Sequence, residues 1–183
     1  GTRFDFSAAQ QSPSPERRRL LDRIFPPAIA TQLEKDPQAL VGREREVTVL
    51  FADLRNFSST CAVLDTRDSY ELLNEVMDLL TAAVMERDGV VIDYYGDGLA
   101  AMWNAPLDQP NHAELACRTG LQMLATLPSV NTTWMARLPR ELRLGIGVHT
   151  GMAQVGNVGS RQRIKYGPRG PTVNLASRVE AAT

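Results

Sequence analysis

The sequence predicts an α+β domain with a ferredoxin-like βαββαβ core, an antiparallel sheet with helices packed on it. Three observations carry this. The run VTVLFAD after Glu46 is short, apolar, rich in β-formers and ends in a carboxylate, as suits a buried central strand. The runs VVIDYY and LAAMW are separated only by Gly96-Asp97-Gly98, which reads as a tight hairpin. Two amphipathic helical stretches flank that hairpin in sequence. With 183 residues and 43% hydrophobic content, the chain can bury one sizeable core.

Residues 7 to 15, SAAQQSPSP, are small, polar and punctuated by proline, so residues 1 to 15 read as a lead-in or linker. From Glu16 to Lys35, apolar residues at Leu20, Leu21, Ile24, Phe25, Ile29 and Leu33 have helical spacing, interrupted by Pro26-Pro27. This segment, 16 to 44, reads as a helical connector, either packed on the domain's flank or relaying a signal to it. After the first strand, Tyr70, Leu73, Val76, Met77, Leu80 and Val84 mark a helix over about Arg67 to Arg87, closed by Asp88-Gly89. Beyond the hairpin, Asn111 reads as an N-cap with Glu114 three residues later, and Leu115, Leu121, Met123, Leu124 and Leu127 as the helix's apolar side. Leu142, Leu144, Ile146 and Val148 then alternate with Arg143, Gly145, Gly147 and His149, giving a strand with one small-residue face. The expected remainder is a Gly-rich hairpin over Gln154 to Gly159, a basic strand from Arg161 to Tyr166, a Gly-Pro turn and a last helix from about Thr172.

Twenty Lys+Arg against 21 Asp+Glu give a formal charge of −1, which argues against a general nucleic-acid or acidic-membrane binder, since those depend on a net basic field. Cys61 and Cys117 make neither a disulfide framework nor a metal site and point to a reducing compartment. No apolar run reaches the length of a membrane span and no signal peptide opens the chain, so a cytoplasmic location is expected. Gly1 in place of Met, and an end inside a predicted helix, describe a piece of something longer.

Asp53 ends the first strand and Asp97 sits at the hairpin tip, so neighbouring strands would bring both carboxylates to one end of the sheet. Two acids held without a basic partner repel unless a cation lies between them. An Asp-Gly alone signals only a turn; paired with Asp53, it suggests oxygen ligands for Mg²⁺ or Mn²⁺, which keep positions open for phosphate oxygens. Asn174 and Arg178 are four apart and share one helix face, with Leu175 and Val179 expected to face inward. His112 and His149 lack the spacing of a zinc site or a nucleophile triad and read as structural. Gly145, Gly147, Gly156 and Gly159 read as close approaches and turns, because no phosphate-loop motif of the type GxxxxGK[ST] is present.

FADLRNF, YYGDGLAAMWNAP, GIGVHTG, VGNVGS and TVNLASRVE occur in that order, and together they resemble the catalytic domain of class III adenylyl/guanylyl cyclases over about residues 45 to 183. The resemblance implies a nucleotide cyclase fold, lacking here the C-terminal strands of the full domain, that works as a head-to-tail homodimer with the nucleotide at the interface. It implies that Asp53 and Asp97 bind two Mg²⁺ or Mn²⁺ ions per site, and that the backbone of Leu54, Arg55, Asn56 and Phe57 lies against the triphosphate. Asn174 would orient the ribose and Arg178 would stabilise charge on the phosphate, both reaching the partner's site. The implied reaction is attack of the ribose 3′ oxygen on the α-phosphorus of ATP or GTP, releasing pyrophosphate, in a protein with an upstream sensor or regulatory domain. A diguanylate cyclase would carry GG[DE]EF where this chain has Tyr95-Gly96-Asp97-Gly98-Leu99.

Two departures stand out. Adenylyl members usually read adenine with a Lys four residues before the second metal Asp and with an Asp or Thr just after the Tyr that precedes the last helix; here these positions hold Asp93 and Gly167. An acid at 93 resembles the guanine reader of guanylyl members, yet Gly167 supplies no companion side chain. Lys165 could instead pair with Asp93 as a charge-swapped adenine reader, or the two could form an ordinary cross-strand pair. The second is the end of the chain: the resemblance implies further strands past the last helix, one of which brings a phosphate-binding Lys, so no residue here is assigned that role; Arg161 and Arg163 are the nearest basic candidates, otherwise a solvated strand face.

Overall fold

The computed structural model describes residues 19, 21–22, 25–36, 38, 41–159 and 164–183. Helix α1 (Pro27–Lys35) precedes strand β1 (Arg43–Leu54), a short helix α2 (Phe57–Cys61) and the long helix α3 (Thr66–Met85). The hairpin β2 (Val90–Tyr95) and β3 (Gly98–Trp103) follows, then helix α4 (His112–Trp134), strands β4 (Leu144–Gly159) and β5 (Ile164–Arg169), and helix α5 (Pro171–Ala181). The five strands form one antiparallel sheet in the order β2-β3-β1-β4-β5. Its first four strands have the ferredoxin-like arrangement, with β1 in the centre and β5 added beyond β4.

The alternation of β1 explains how the sheet carries two cores. Leu50, Ala52 and Leu54 face α3 and α4 and pack with Leu72, Val76, Leu80, Met123 and Leu127. Val47 and Val49 face the other way and pack with Phe25, Ile29, Leu33, Val155, Tyr166 and Ala176. Residues from the segment before β1 thus complete the core on the sheet face that α5 shares. Asp65 caps α3 by accepting from the Asp68 amide at 2.7 Å. The two cysteines are free, and among the described residues no helix is long and apolar enough to cross a membrane.

Several local expectations are corrected. Asn111 precedes α4, but its side chain caps nothing. The buried side of α4 is Ala116, Thr119, Gly120, Met123, Leu127, Val130 and Trp134, whereas Leu121 and Leu124 are exposed. Tyr70 is likewise exposed, and Leu72 takes its place in the core. Residues 154 to 159 continue β4 instead of turning back, and Gly156 is required because a Cβ there would meet the Gly42 Cα at 2.6 Å. Gly167-Pro168 lies within β5 and makes no turn. On α5, Leu175 and Val179 are exposed; the inward residues are Thr172, Ala176 and Glu180. Arg161 and Arg163 lie outside the described residues.

Candidate active site

The centre of the site is set by strand register. Asp53 pairs across the sheet with Gly98 on β3 and Gly145 on β4. Neither neighbour has a side chain to compete for the space. A Cβ on Gly98 would lie 2.6 Å from Asp53 Oδ1, so glycine leaves the carboxylate its place. The β2–β3 turn is only Gly96-Asp97, with Gly96 at a positive φ of 63°, and the Asp97 carbonyl accepts from the Leu54 amide at 3.4 Å. Asp53 and Asp97 therefore stand at one end of adjacent strands.

Electrostatics at this end call for a cation. The Asp53 carboxyl is raised above the ordinary carboxylate range, first by burial, then by the charges of Asp97 and Glu180, against the opposing pull of Arg55. Among the described residues no group of three or more His, Cys, Asp or Glu side chains gathers as a metal cage. Two half-buried carboxylates at one end of the sheet fit Mg²⁺ or Mn²⁺, whose remaining positions are filled by water or phosphate.

The segment after Asp53 turns sharply, with Asn56 at φ 58° before α2. The Arg55 amide donates to the Arg143 carbonyl at 2.8 Å and the Leu54 amide to Asp97, so of the four residues expected against phosphate, Asn56 and Phe57 retain uncommitted amides among the described residues. Beside them lies a cavity of about 330 Å³ lined by Arg55, Asn56, Arg140, Glu141 and Arg143. Arg140 and Arg143 are functional candidates that sequence reasoning missed. Their signal was weak: Arg143 merely takes its turn on the small-residue face of the alternating strand, and Arg140 sits in a loop.

Helix α5 presents Asn174 and Arg178 on its exposed side, a half-turn away from Ala176 and Glu180, which rest on the sheet. Gly147 makes this docking possible, since a Cβ there would lie 2.2 Å from the Glu180 amide nitrogen. Asn174 and Arg178 thus point away from their own domain, flanked by exposed Leu175 and Val179.

Asp93, Lys165 and Gly167 converge. A bulge at Ile92 shifts the register of β2 before Asp93, and the Asp93 carboxylate accepts from the Lys165 ammonium. All three line one cavity of about 60 Å³, together with Phe51, Tyr95 and Tyr166. That volume is well below the roughly 300 Å³ at which small-molecule pockets begin. A Cβ on Gly167 would meet Ile92 Cγ2 at 3.0 Å, so a side chain there would require Ile92 to give way slightly. Tyr166 is buried against Phe25, ring centroids 5.4 Å apart, and burial pushes its phenol up to about 12. Of the two histidines, His112 is buried with Nδ1 2.7 Å from Thr48 Oγ1, as suits a structural role.

Comparison with known proteins agrees with this geometry. The family model "Adenylate and Guanylate cyclase catalytic domain" matches residues 41–183. Adenylate cyclase 1 of Rhizobium meliloti is 39% identical over 136 residues, which is 74% of this chain and 20% of that protein, so the chain spans a fifth of that relative's length. Among solved structures, the guanylyl cyclase Cya2 aligns with a TM-score of 0.73 at 35% identity, covering 78% of this chain and 72% of that one. The adenylyl cyclase CyaB from P. aeruginosa aligns with a TM-score of 0.75 at 28% identity over 78% and 74% of the two chains. Matched over most of its length by the family model, with the sheet order and helix packing expected of it, the chain belongs to the adenylate and guanylate cyclase catalytic domain family.

Proposed function

We propose that this domain is a divalent-metal-dependent purine nucleotide cyclase acting as a homodimer, converting ATP to 3′,5′-cyclic AMP and pyrophosphate. The observation that carries this reading is the division of the site: Asp53 and Asp97 stand at one end of the sheet, while Asn174 and Arg178 point away from their own domain. A second copy is then needed to bring both pairs to one nucleotide.

Asp53 and Asp97 would hold two Mg²⁺ or Mn²⁺ ions, which when bound acidify the ribose 3′ hydroxyl and neutralise the phosphates. The chain's own residues do the rest. Amides of Asn56 and Phe57 would cradle the triphosphate, with Arg140 and Arg143, which line the adjoining cavity, supplying positive charge. The partner's α5 would supply Asn174 to orient the ribose and Arg178 to stabilise charge building on the α-phosphate. The 3′ oxygen forms its bond to the α-phosphorus as the bond to the β-phosphate bridging oxygen breaks; the hydroxyl proton leaves to solvent and pyrophosphate departs.

Asp93 and Lys165 would read the base. Together they offer one acceptor and one donor group, the complementarity that adenine's amino group and ring nitrogen require, with the roles exchanged between strands relative to the family's usual pair. For a base to enter, their ion pair must give way to contacts with it, because the cavity they line is small. An acid at 93 also suits guanine, so guanylate cyclase is the second reading. The ATP preference draws support from the adenylate cyclase relative at 39% identity. Incubation of the dimeric protein with Mn²⁺ and either nucleotide tests the proposal: cyclic product and pyrophosphate, lost in Asp53→Ala, are expected. Tight nucleotide binding without product would instead identify a binding and dimerisation module.

A further inference from the structure

The Arg55 side chain makes contacts unrelated to its amide. It passes over Gly145, where a Cβ would lie 1.8 Å from Arg55 Nη2, so only glycine leaves this path open. Its Nη2 then lies 2.6 Å from Glu180 Oε1, donates to the Glu180 carbonyl, and donates to Thr183 Oγ1 at 2.9 Å. Glu180 is 8% exposed. A carboxylate that buried is costly unless a cation faces it, and Arg55 is the cation present. One guanidinium therefore holds a side chain, a carbonyl and a hydroxyl at the C-terminal end of α5, two residues past Arg178. Its other end is fixed in the backbone two residues past Asp53.

We propose that Arg55 is a positioning residue that clamps α5 to the segment carrying Asp53, so that each subunit's own carboxylate end sets the pose of the Asn174 and Arg178 it offers to its partner. The inference rests on the shared-site reading above and adds a consequence to it: the two sites of a dimer are mechanically linked. A nucleotide and its cations ordering Asp53 in one subunit would, through Arg55 and Glu180, steady the helix that serves the other site.

Mixed dimers test it directly. Combining Asp53→Ala chains with Arg178→Ala chains leaves one working site, which takes its carboxylates from the Arg178→Ala chain and its helix α5 from the Asp53→Ala chain. Arg55→Gln is then added to the Asp53→Ala chain, whose own carboxylate end takes no part in that site. A fall in kcat of about tenfold with KM nearly unchanged is expected, the size of effect a small misplacement of a catalytic group produces. A kcat within about twofold of the unmodified mixture overturns the proposal, because the clamp would then serve only its own site.

A second readout needs no turnover. In the full chain without nucleotide, Arg55→Gln should speed amide hydrogen exchange over residues 176 to 182, and unchanged exchange there overturns the clamp even in a protein that proves inactive. If that variant fails to fold, Arg55→Gln with Glu180→Gln, which leaves no unpaired buried carboxylate, is used for both measurements. Absence of cyclic product from the wild-type protein would sink the cyclase reading alone.

Discussion

Asp93 and Lys165 stand on the two edge strands of the sheet, β2 and β5, and nevertheless form an ion pair. The twist of a sheet accumulates from strand to strand, and here it folds the added strand β5 over the face that β2 also flanks. Phe51 from the central strand floors the cavity between them. The pair is partly exposed, with side-chain accessibilities of 30% and 44%, so its own contribution to stability is small, about 0–1 kcal/mol. Its position, beside Gly167 and Tyr166 in one cavity, is what supports the base-reading role proposed for it.

Removing that role should change selectivity more than stability. Asp93→Ala is expected to shift the ratio of kcat/KM for ATP over GTP by about tenfold, equivalent to losing one hydrogen bond of about 1.4 kcal/mol, with little change in Tm. Direct competition between the two nucleotides measures it. If neither the ratio nor the rate changes, Asp93 reads nothing.

Asp53 should show opposite effects on stability and on activity. Its folded value is raised above the ordinary aspartate value of 3.8. Its stabilising contribution is therefore fully present below that pH and lost as pH rises through the folded value, so at neutral pH the metal-free protein carries a repulsive carboxylate. Asp53→Asn should raise the metal-free Tm at pH 7 by a few degrees at most, less than about 1 kcal/mol after solvent screening, while abolishing turnover. Calorimetry in a chelator checks the first part, and a lowered Tm would contradict it.

Gly147 carries a different sensitivity. A methyl group there would lie 2.2 Å from the Glu180 amide and 2.4 Å from the Ala176 carbonyl, both backbone atoms of α5. Gly147→Ala should destabilise by about 1–3 kcal/mol through overpacking, seen as a lower denaturation midpoint. Because α5 must lift off the sheet, kcat should fall further than the lost stability explains.

Tyr166 supplies a spectroscopic check on the packing of the segment before β1. Of the four tyrosines, Tyr166 should ionise near pH 12 in an alkaline titration followed by ultraviolet absorbance. Phe25→Ala, which opens its ring contact to solvent, should bring that value back toward 10.0. An unchanged titration would mean that Phe25 does not seal this face.

Much of this was legible in the sequence, and the failures have physical causes. The strand and helix order, and the meeting of Asp53 with Asp97, follow from local periodicity and a two-residue turn. The outward placement of Leu121, Leu124, Leu175 and Val179 does not, because apolar residues adjacent to a helix's buried stripe share its period while lying outside the contact. The continuation of β4 through Gly156 was hidden because glycines read as turns, whereas here they admit Gly42 and the α5 backbone. The Asp93–Lys165 contact, 72 residues apart, was anticipated as one alternative. The Arg55–Glu180 contact was not, since its reach of 125 residues depends on where α5 docks.

The shared site is the centre of this account, and mixing two inactive proteins tests it most directly. Asp53→Ala and Arg178→Ala homodimers should each make essentially no cyclic nucleotide with Mn²⁺ and ATP or GTP. Equimolar mixing should restore about a quarter of the wild-type rate, because half of randomly paired dimers are mixed and each holds one intact site of two. No recovery from folded, exchanging dimers of these two variants, alongside an active wild type, would contradict the account.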